Sequence, residues 1–110
     1  MVARTSHLTA ADRPAYVDEV LACVARIPRG QVMSYGDVAH YVGLRSARLV
    51  GSVLRRYGDE VAWHRVVMAD GSPKPFDIGG REQLALLRDD RTPLAGDRVD
   101  MKRARWDGTR

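Results

Sequence analysis

The chain has 110 residues, 45% hydrophobic and 29% charged, a size that predicts one compact domain over residues 1–110 and excludes a second sizeable core. Lys and Arg number 18 against 14 Asp and Glu, a formal charge of +4 that favours a polyanionic partner. One cysteine and three scattered histidines exclude an internal disulfide and a cysteine-based zinc cluster, so no metal or cofactor is expected.

The opening residues MVARTSHLTAADRP contain no apolar stretch of the signal-peptide kind, and no run approaches the ~20 apolar residues of a membrane span. The expectation is a soluble, cytoplasmic monomer without membrane contact, nucleoid-associated in a bacterium. Asp12 is placed to cap a first helix with Pro14 in its first turn, where a missing N–H costs nothing. Val17, Val20, Leu21 and Val24 form its apolar stripe, and Pro28 and Gly30 end it near Ile27. Cys23 lies between apolar neighbours on that helix and reads as a small packed side chain.

In QVMSYGDVAHYVG a short extended stretch leads to Ser34, the cap of a second helix with Val38, Ala39 and Val42 inward and Gly43 at its end. Only Leu44 and Arg45 separate Gly43 from Ser46, the cap of a third helix from Ala47 to about Tyr57. Two helices joined by so short a Gly-containing turn read as a helix-turn-helix. On the third helix Leu49, Val50, Val53 and Leu54 make a buried stripe, while Ala47, Arg48, Gly51, Ser52 and Arg55 share the other side. That outer face has no acid between Arg45 and Tyr57. It also holds a glycine, which costs about 1 kcal/mol against alanine inside a helix. Small residues let a backbone approach a partner closely, and flanking arginines hold phosphates or enter a groove.

After Gly58, the β-branched pair Val66 and Val67 followed by Asp70-Gly71 predicts a strand and turn, a small β-hairpin wing. Gly79 and Gly80 open a fourth helix containing Leu84, Leu86 and Leu87. Val99 to Arg110 is expected to be a final strand with a loosely held basic tail. The fold class is therefore mainly α, a winged-helix-like helix-turn-helix domain.

The motifs IPRGQVMSYGDVA, SARLVGSVLRR and AWHRVV resemble, in that order, the DNA-binding domain of the O6-alkylguanine-DNA alkyltransferases, over about Val17 to Leu87. In the active enzymes the third motif reads Pro-Cys-His-Arg-Val, and its cysteine takes the alkyl group from a flipped guanine. Trp63 stands in that place here, the mark of the alkyltransferase-like proteins, which resemble the enzymes in fold and lesion binding without removing the alkyl group. The chemistry agrees: alkyl transfer needs a thiolate, and an indole has neither a usable lone pair nor a suitable pKa. An aromatic ring does stack on an extruded base, worth about 1–3 kcal/mol.

The resemblance further implies that Tyr35 lies against the phosphate beside the target nucleotide, and that Arg48 enters the stack from the minor groove and fills the gap left by the guanine. Arg45, Ala47, Gly51, Ser52 and Arg55 complete the expected DNA-binding set, and Tyr35, Trp63, His64, Val66 and Phe76 the expected lesion pocket. His64 matches the proton-relaying histidine of the enzymes. Without a cysteine to serve, it is expected to be structural, hydrogen-bonded beneath the pocket. The acid that orients this histidine falls near Asp90, beyond the close correspondence, and no role is assigned to it. Minor-groove entry leaves little sequence readout, because the groove's hydrogen-bond pattern is degenerate.

Several positions depart from the family's pattern. Ala62 replaces a proline, the link from Gly58 to Trp63 lacks an asparagine hinge, and Phe76 stands where some alkyltransferase-like members have a basic residue that Lys74 could replace. The implied partners are double-stranded DNA containing O6-alkylguanine and the nucleotide excision repair proteins that would receive the flagged lesion. The alternative from the residues alone is a winged-helix DNA-binding regulator without lesion specificity. A transferase using another nucleophile is opposed by the missing cysteine.

Overall fold

In the computed structural model, which describes residues 13–109, the first helix α1 (Ala15–Arg26) begins two residues later than a cap at Asp12 implies. Pro14 is its N-cap rather than part of its first turn, and no side chain among the described residues caps it; Asp12 lies outside them. Arg13 steadies this end by pairing with Asp18 at 2.7 Å and with Glu60 at 3.1 Å. Helix α1 stops at Ile27, extended as the residue before a proline prefers, and buries Val17, Val20, Leu21, Cys23 and Val24.

A two-residue strand β1 (Met33–Ser34) feeds α2 (Tyr35–Val42) through a reciprocal cap: Ser34 Oγ accepts from Asp37 N at 2.9 Å and Asp37 Oδ2 accepts from Ser34 N at 3.1 Å. Gly43 ends α2 with φ 80°, a left-handed conformation that favours glycine. Ser46 then caps α3 (Ala47–Tyr57), accepting from Arg48 N at 3.1 Å. These caps are the expected ones, and α2 and α3 form the helix-turn-helix. The buried stripe of α3 runs through Val50 and Val53; Leu49, expected within it, lies one position off its axis and is exposed.

The expected hairpin at Val66–Gly71 does not form. Strand β2 (Val66–Val67) pairs in parallel with β1, Met33 opposite Val66 and Ser34 opposite Val67. The Asp70-Gly71 turn is present, but the chain leaves it through Pro73 and Pro75, which have no N–H to give a returning strand. Gly71 instead meets the distant Val99, whose N–H donates to its carbonyl at 2.9 Å. The antiparallel hairpin lies later, β3 (Leu94–Ala95) with β4 (Arg98–Val99), after α4 (Gly80–Asp89).

The tail is also not loose. After β4 comes a short helix α5 (Met101–Ala104), then Arg105 bridges to Val32 and Trp106 is buried with the helices of the main core. Arg105 also clasps Asp37 at 2.9 and 2.6 Å. The basic residues Lys102 and Arg103 stay exposed, as a tail's would, while Ala104 and Trp106 anchor it.

Two apolar clusters result. One joins the stripes of α1, α2 and α3 with Met33, Val66 and Trp106; the other joins Val32, Val67, Leu84, Leu87, Val99 and Ala104. The short parallel ladder lies between them. Successive strand side chains point to opposite faces, so Val66 enters the first cluster and Val67 the second. The residues just before β2, Trp63 to Arg65, thereby lie beside the end of α3, where a Cβ at Gly58 would be 3.3 Å from the Trp63 Cβ.

Candidate nucleic-acid interface and base pocket

Trp63 sits in a single helical turn, Trp63–Arg65, between α3 and β2. Its backbone N–H donates to Val61 O at 2.8 Å, and Arg65 N donates to Ala62 O at 3.1 Å. The indole is neither sealed in the core nor free on the surface. It borders a cavity of about 520 Å³ lined by Tyr35 from α2, by Gly51, Leu54 and Arg55 from α3, and by Met68, Lys74, Pro75 and Ile78 from the following loop. The Lys74 ammonium lies 4.8 Å from the centroid of the Trp63 ring. Cation and ring attract through the ring's quadrupole at that distance.

The cavity therefore opens beside the helix with the unusual outer face. Ala47, Arg48, Ser52 and Arg55 are exposed there. A Cβ added to Gly51 would meet nothing within 4 Å among the described residues, so no packing among them requires a glycine at that point. Arg13, Arg29, Arg65, Arg88, Arg98 and Arg105 each pair with a carboxylate; Arg45, just before this helix, and Arg48, Arg55 and Arg56 on it pair with none among the described residues, as do Arg26, Arg81, Arg91, Lys102 and Arg103 elsewhere. Cations without carboxylate partners around a close-approach helix face offer phosphates a site at no cost of breaking internal ion pairs.

Of the expected pocket residues, Tyr35 and Trp63 line the cavity and His64, Val66 and Phe76 do not. Val66 is not a pocket wall: the alternation of β2 turns it into the core, where it is fully buried. Phe76 is exposed, its ring 5.5 Å below the Arg81 guanidinium, because Pro75 begins a new turn, Phe76–Ile78, that brings Ile78 rather than Phe76 to the cavity. His64 is buried, its ring edge-on to the indole at 6.3 Å. Of the expected DNA-binding residues, Gly51 and Arg55 line the cavity with Tyr35, while Arg45, Ala47, Arg48 and Ser52 lie on the exposed surface.

Beneath the site is an acid that sequence reasoning left without a role. Asp90, at the end of α4, accepts from His64 Nε2 at 2.8 Å and from Arg65 Nε at 2.8 Å and Nη2 at 3.2 Å. Burial raises the Asp90 carboxyl, but the hydrogen bonds and charges of Arg65 and His64 outweigh it and hold the group below the usual carboxylate range. Burial pushes the Tyr35 phenol up. Sequence reasoning also missed Met68, Leu54, Pro75 and Ile78 as lining residues. Leu54 was read as part of the buried stripe of the third helix, and the others share only apolarity before and within the Pro73–Pro75 loop and the turn that follows it.

The one thiol cannot substitute for a nucleophile here. Cys23 is buried on α1, and burial pushes its pKa up to about 11, against the opposing effect of Arg26. It contacts the Met33 sulfur at 3.8 Å and does not line the cavity beside Trp63. No helix of the described residues is long and apolar enough to cross a membrane, and no group of His, Cys, Asp or Glu among them could hold a metal.

Residues 15–92 match the family described as the 6-O-methylguanine DNA methyltransferase DNA-binding domain. The chain belongs to this family. Within this DNA-binding domain family it is similar to the DNA base-flipping protein of Escherichia coli (strain K12), 37% identical over 99 residues that cover 84% of this chain and 74% of that protein. It is also similar to alkyltransferase-like protein 1 of Schizosaccharomyces pombe, 39% identical over 71 residues, 62% of this chain and 66% of that protein. The chain spans between 29% and 74% of the length of the curated relatives it matches. The solved S. pombe alkyltransferase-like protein in complex with damaged DNA containing O6-carboxymethylguanine shares its fold with a TM-score of 0.75 and 28% identity, covering 84% of this chain and 94% of that one.

Proposed function

We propose that this chain is a sensor of alkylated DNA without transferase activity. It binds duplex DNA through the minor groove with α3. Arg48 takes the place of an extruded O6-alkylguanine, and the base is held in the cavity against Trp63. The observation that carries the reading is the position of Trp63, an indole bordering a cavity of about 520 Å³ beside the arginines of α3. A stacked base would recover about 1–3 kcal/mol there, comparable with the cost of unstacking it. The similarity to proteins named for base flipping and for alkyltransferase likeness supports the same reading.

The chemistry opposes repair in place. Trp63 offers no thiolate, and Cys23 is buried away from the cavity with its pKa raised. The bound complex is then a flag, and the resemblance to alkyltransferase-like proteins implies that nucleotide excision repair proteins receive it. We further propose that the protein acts as a cytoplasmic monomer.

The test is titration of one short duplex carrying guanine or O6-methylguanine at one position, with indole emission recorded, and a parallel assay for alkyl transfer to protein. Preferential binding of the lesion with quenching of Trp63, and no transferred alkyl group, is the expected result. Equal affinity for both duplexes with unchanged emission supports a regulator without lesion specificity. A covalently alkylated protein would overturn the sensor reading.

A further inference from the structure

Gln83 is the largest polar side chain in the interior after the ion pairs are set aside, fully buried on α4, and every hydrogen-bonding atom of its amide is used. Its Oε1 accepts from the backbone N–H of Lys74 at 2.8 Å. Its Nε2 donates to the carbonyl of His64 at 3.2 Å and to that of Val66 at 2.8 Å. One amide therefore ties the strip that carries Trp63 to the loop that carries Lys74, the two residues that meet across the cavity at 4.8 Å. Such a bridge needs a donor pair and an acceptor on one short side chain, which Gln or Asn provides and Glu or Met does not.

The loop end is held just as closely on its other side. Gly80 N donates to Pro75 O at 2.9 Å, and a Cβ on Gly80 would overlap the Lys74 carbonyl. Apart from this frame, the Lys74 ammonium is anchored by no carboxylate among the described residues. Its position over the indole depends on where its backbone is pinned.

We infer that Gln83 is a positioning residue for the base cavity, setting the gap between Trp63 and Lys74 by hydrogen-bonding the backbone on both sides, so that the cavity exists before DNA arrives. The inference rests on the proposed lesion-binding reading for its consequence in DNA recognition, but its structural content concerns the free protein. Gln83 touches no ligand and acts through Lys74 and the Trp63 turn.

The experiment compares Gln83→Met, close in volume but without the amide, with Lys74→Met and with the double variant. In the free proteins, two-dimensional NMR follows the indole N–H resonances of Trp63 and Trp106. Both single variants are expected to shift the Trp63 resonance in the same direction and leave that of Trp106 in place, which global loosening would not do. A Trp63 resonance moved by Lys74→Met and untouched by Gln83→Met overturns the inference. With DNA, the readout is the ratio of affinities for O6-methylguanine and guanine duplexes. Each single variant is expected to lower the ratio about fivefold, Gln83→Met by loss of its hydrogen bonds and Lys74→Met by loss of the cation over the indole, and the double variant no further than the larger single loss. Losses that multiply in the double variant overturn it as well. Should Gln83→Met fail to fold, Gln83→Glu, which keeps the acceptor for Lys74 and removes the donors to the Trp63 strip, is expected to shift the Trp63 resonance in the same direction as Lys74→Met; an unmoved Trp63 resonance overturns the inference. A wild-type ratio of one, with the NMR coupling intact, defeats the lesion reading and leaves Gln83's positioning role standing.

Discussion

Trp63 is held from behind as tightly as it is open in front. A Cβ at Gly58 would lie 3.3 Å from the Trp63 Cβ, so the ring's root is seated against a buried glycine while the indole faces the cavity. Removal of the ring should therefore affect the cavity more than the core. Trp63→Ala is expected to weaken the O6-methylguanine complex by about 5- to 150-fold, the equivalent of one stacked base, with a smaller effect on an undamaged duplex. Trp63→Phe should fall between. Anisotropy titrations of the two duplexes measure this, and equal losses on both would remove the stacking role. Arg48 is exposed on α3 without a carboxylate partner among the described residues, whereas Arg88 lies on α4, which contributes nothing to the cavity lining. Arg48→Ala should thus cost lesion affinity much more than Arg88→Ala, although each deletes one positive charge. Comparable losses in the same titrations would mean that only net charge matters.

At the level of elements, α3 trades stability for an approachable surface. Because nothing among the described residues lies within 4 Å of a Cβ at Gly51, Gly51→Ala should gain about 1 kcal/mol of helix propensity and raise Tm by about 4 °C. The same methyl group stands on the face that borders the cavity, so duplex binding is expected to fall several-fold while the protein becomes more stable. A thermal melt and a titration on one preparation check both directions, and a variant that binds as before would show that the backbone of α3 does not come close to DNA. The helices themselves were legible because their signals are local. Ser34 and Ser46 cap the residues that follow them, and the apolar positions of α1 and α2 repeat along one face. The partners of Val66 and Val67 were not legible, since Met33 and Ser34 lie more than thirty positions earlier and two-residue strands carry no period of their own. The candidate site divides in the same way. Tyr35, Trp63, Gly51 and Arg55 sit in motifs readable in order, but Lys74, Met68 and Ile78 reach the cavity through a proline-bordered loop whose path is set by Gln83 and Gly80, and Asp90 finds His64 across 26 positions. The tail was misjudged for the same reason, because only the packed core shows where Trp106 goes.

Across the whole molecule, two carboxylates close the longest connections. Asp37 joins α2 to the tail through Arg105, and Asp90 joins α4 to the Trp63–Arg65 turn through His64 and Arg65, with Arg29 at 3.5 Å on its outer side. Burial raises both carboxyls, and in both the guanidinium hydrogen bonds prevail and lower the pKa below the ordinary value, for Asp37 with help from Ser34. A carboxyl whose pKa is lower folded than unfolded binds more protons in the unfolded chain at pH values between the two. Its contribution is therefore complete above the usual carboxylate value near 4 and is lost as pH falls through the lower folded value. Thermal stability is expected to be insensitive to these groups from about pH 6 to pH 5 and to decline below about pH 4. Asp90→Asn leaves Arg65 in a largely buried setting without its counter-charge, a change expected to cost on the order of 3 kcal/mol at neutral pH. It also deletes one of the titrating groups, so the variant's Tm should fall less steeply in acid than that of the wild type, and the two curves should converge as pH drops. Calorimetric or circular-dichroism melts from pH 7 to pH 3 give both curves. Parallel curves over that whole range would mean that Asp90 titrates alike in the folded and unfolded chain, and that the clasp beneath the base cavity contributes no pH-dependent stability.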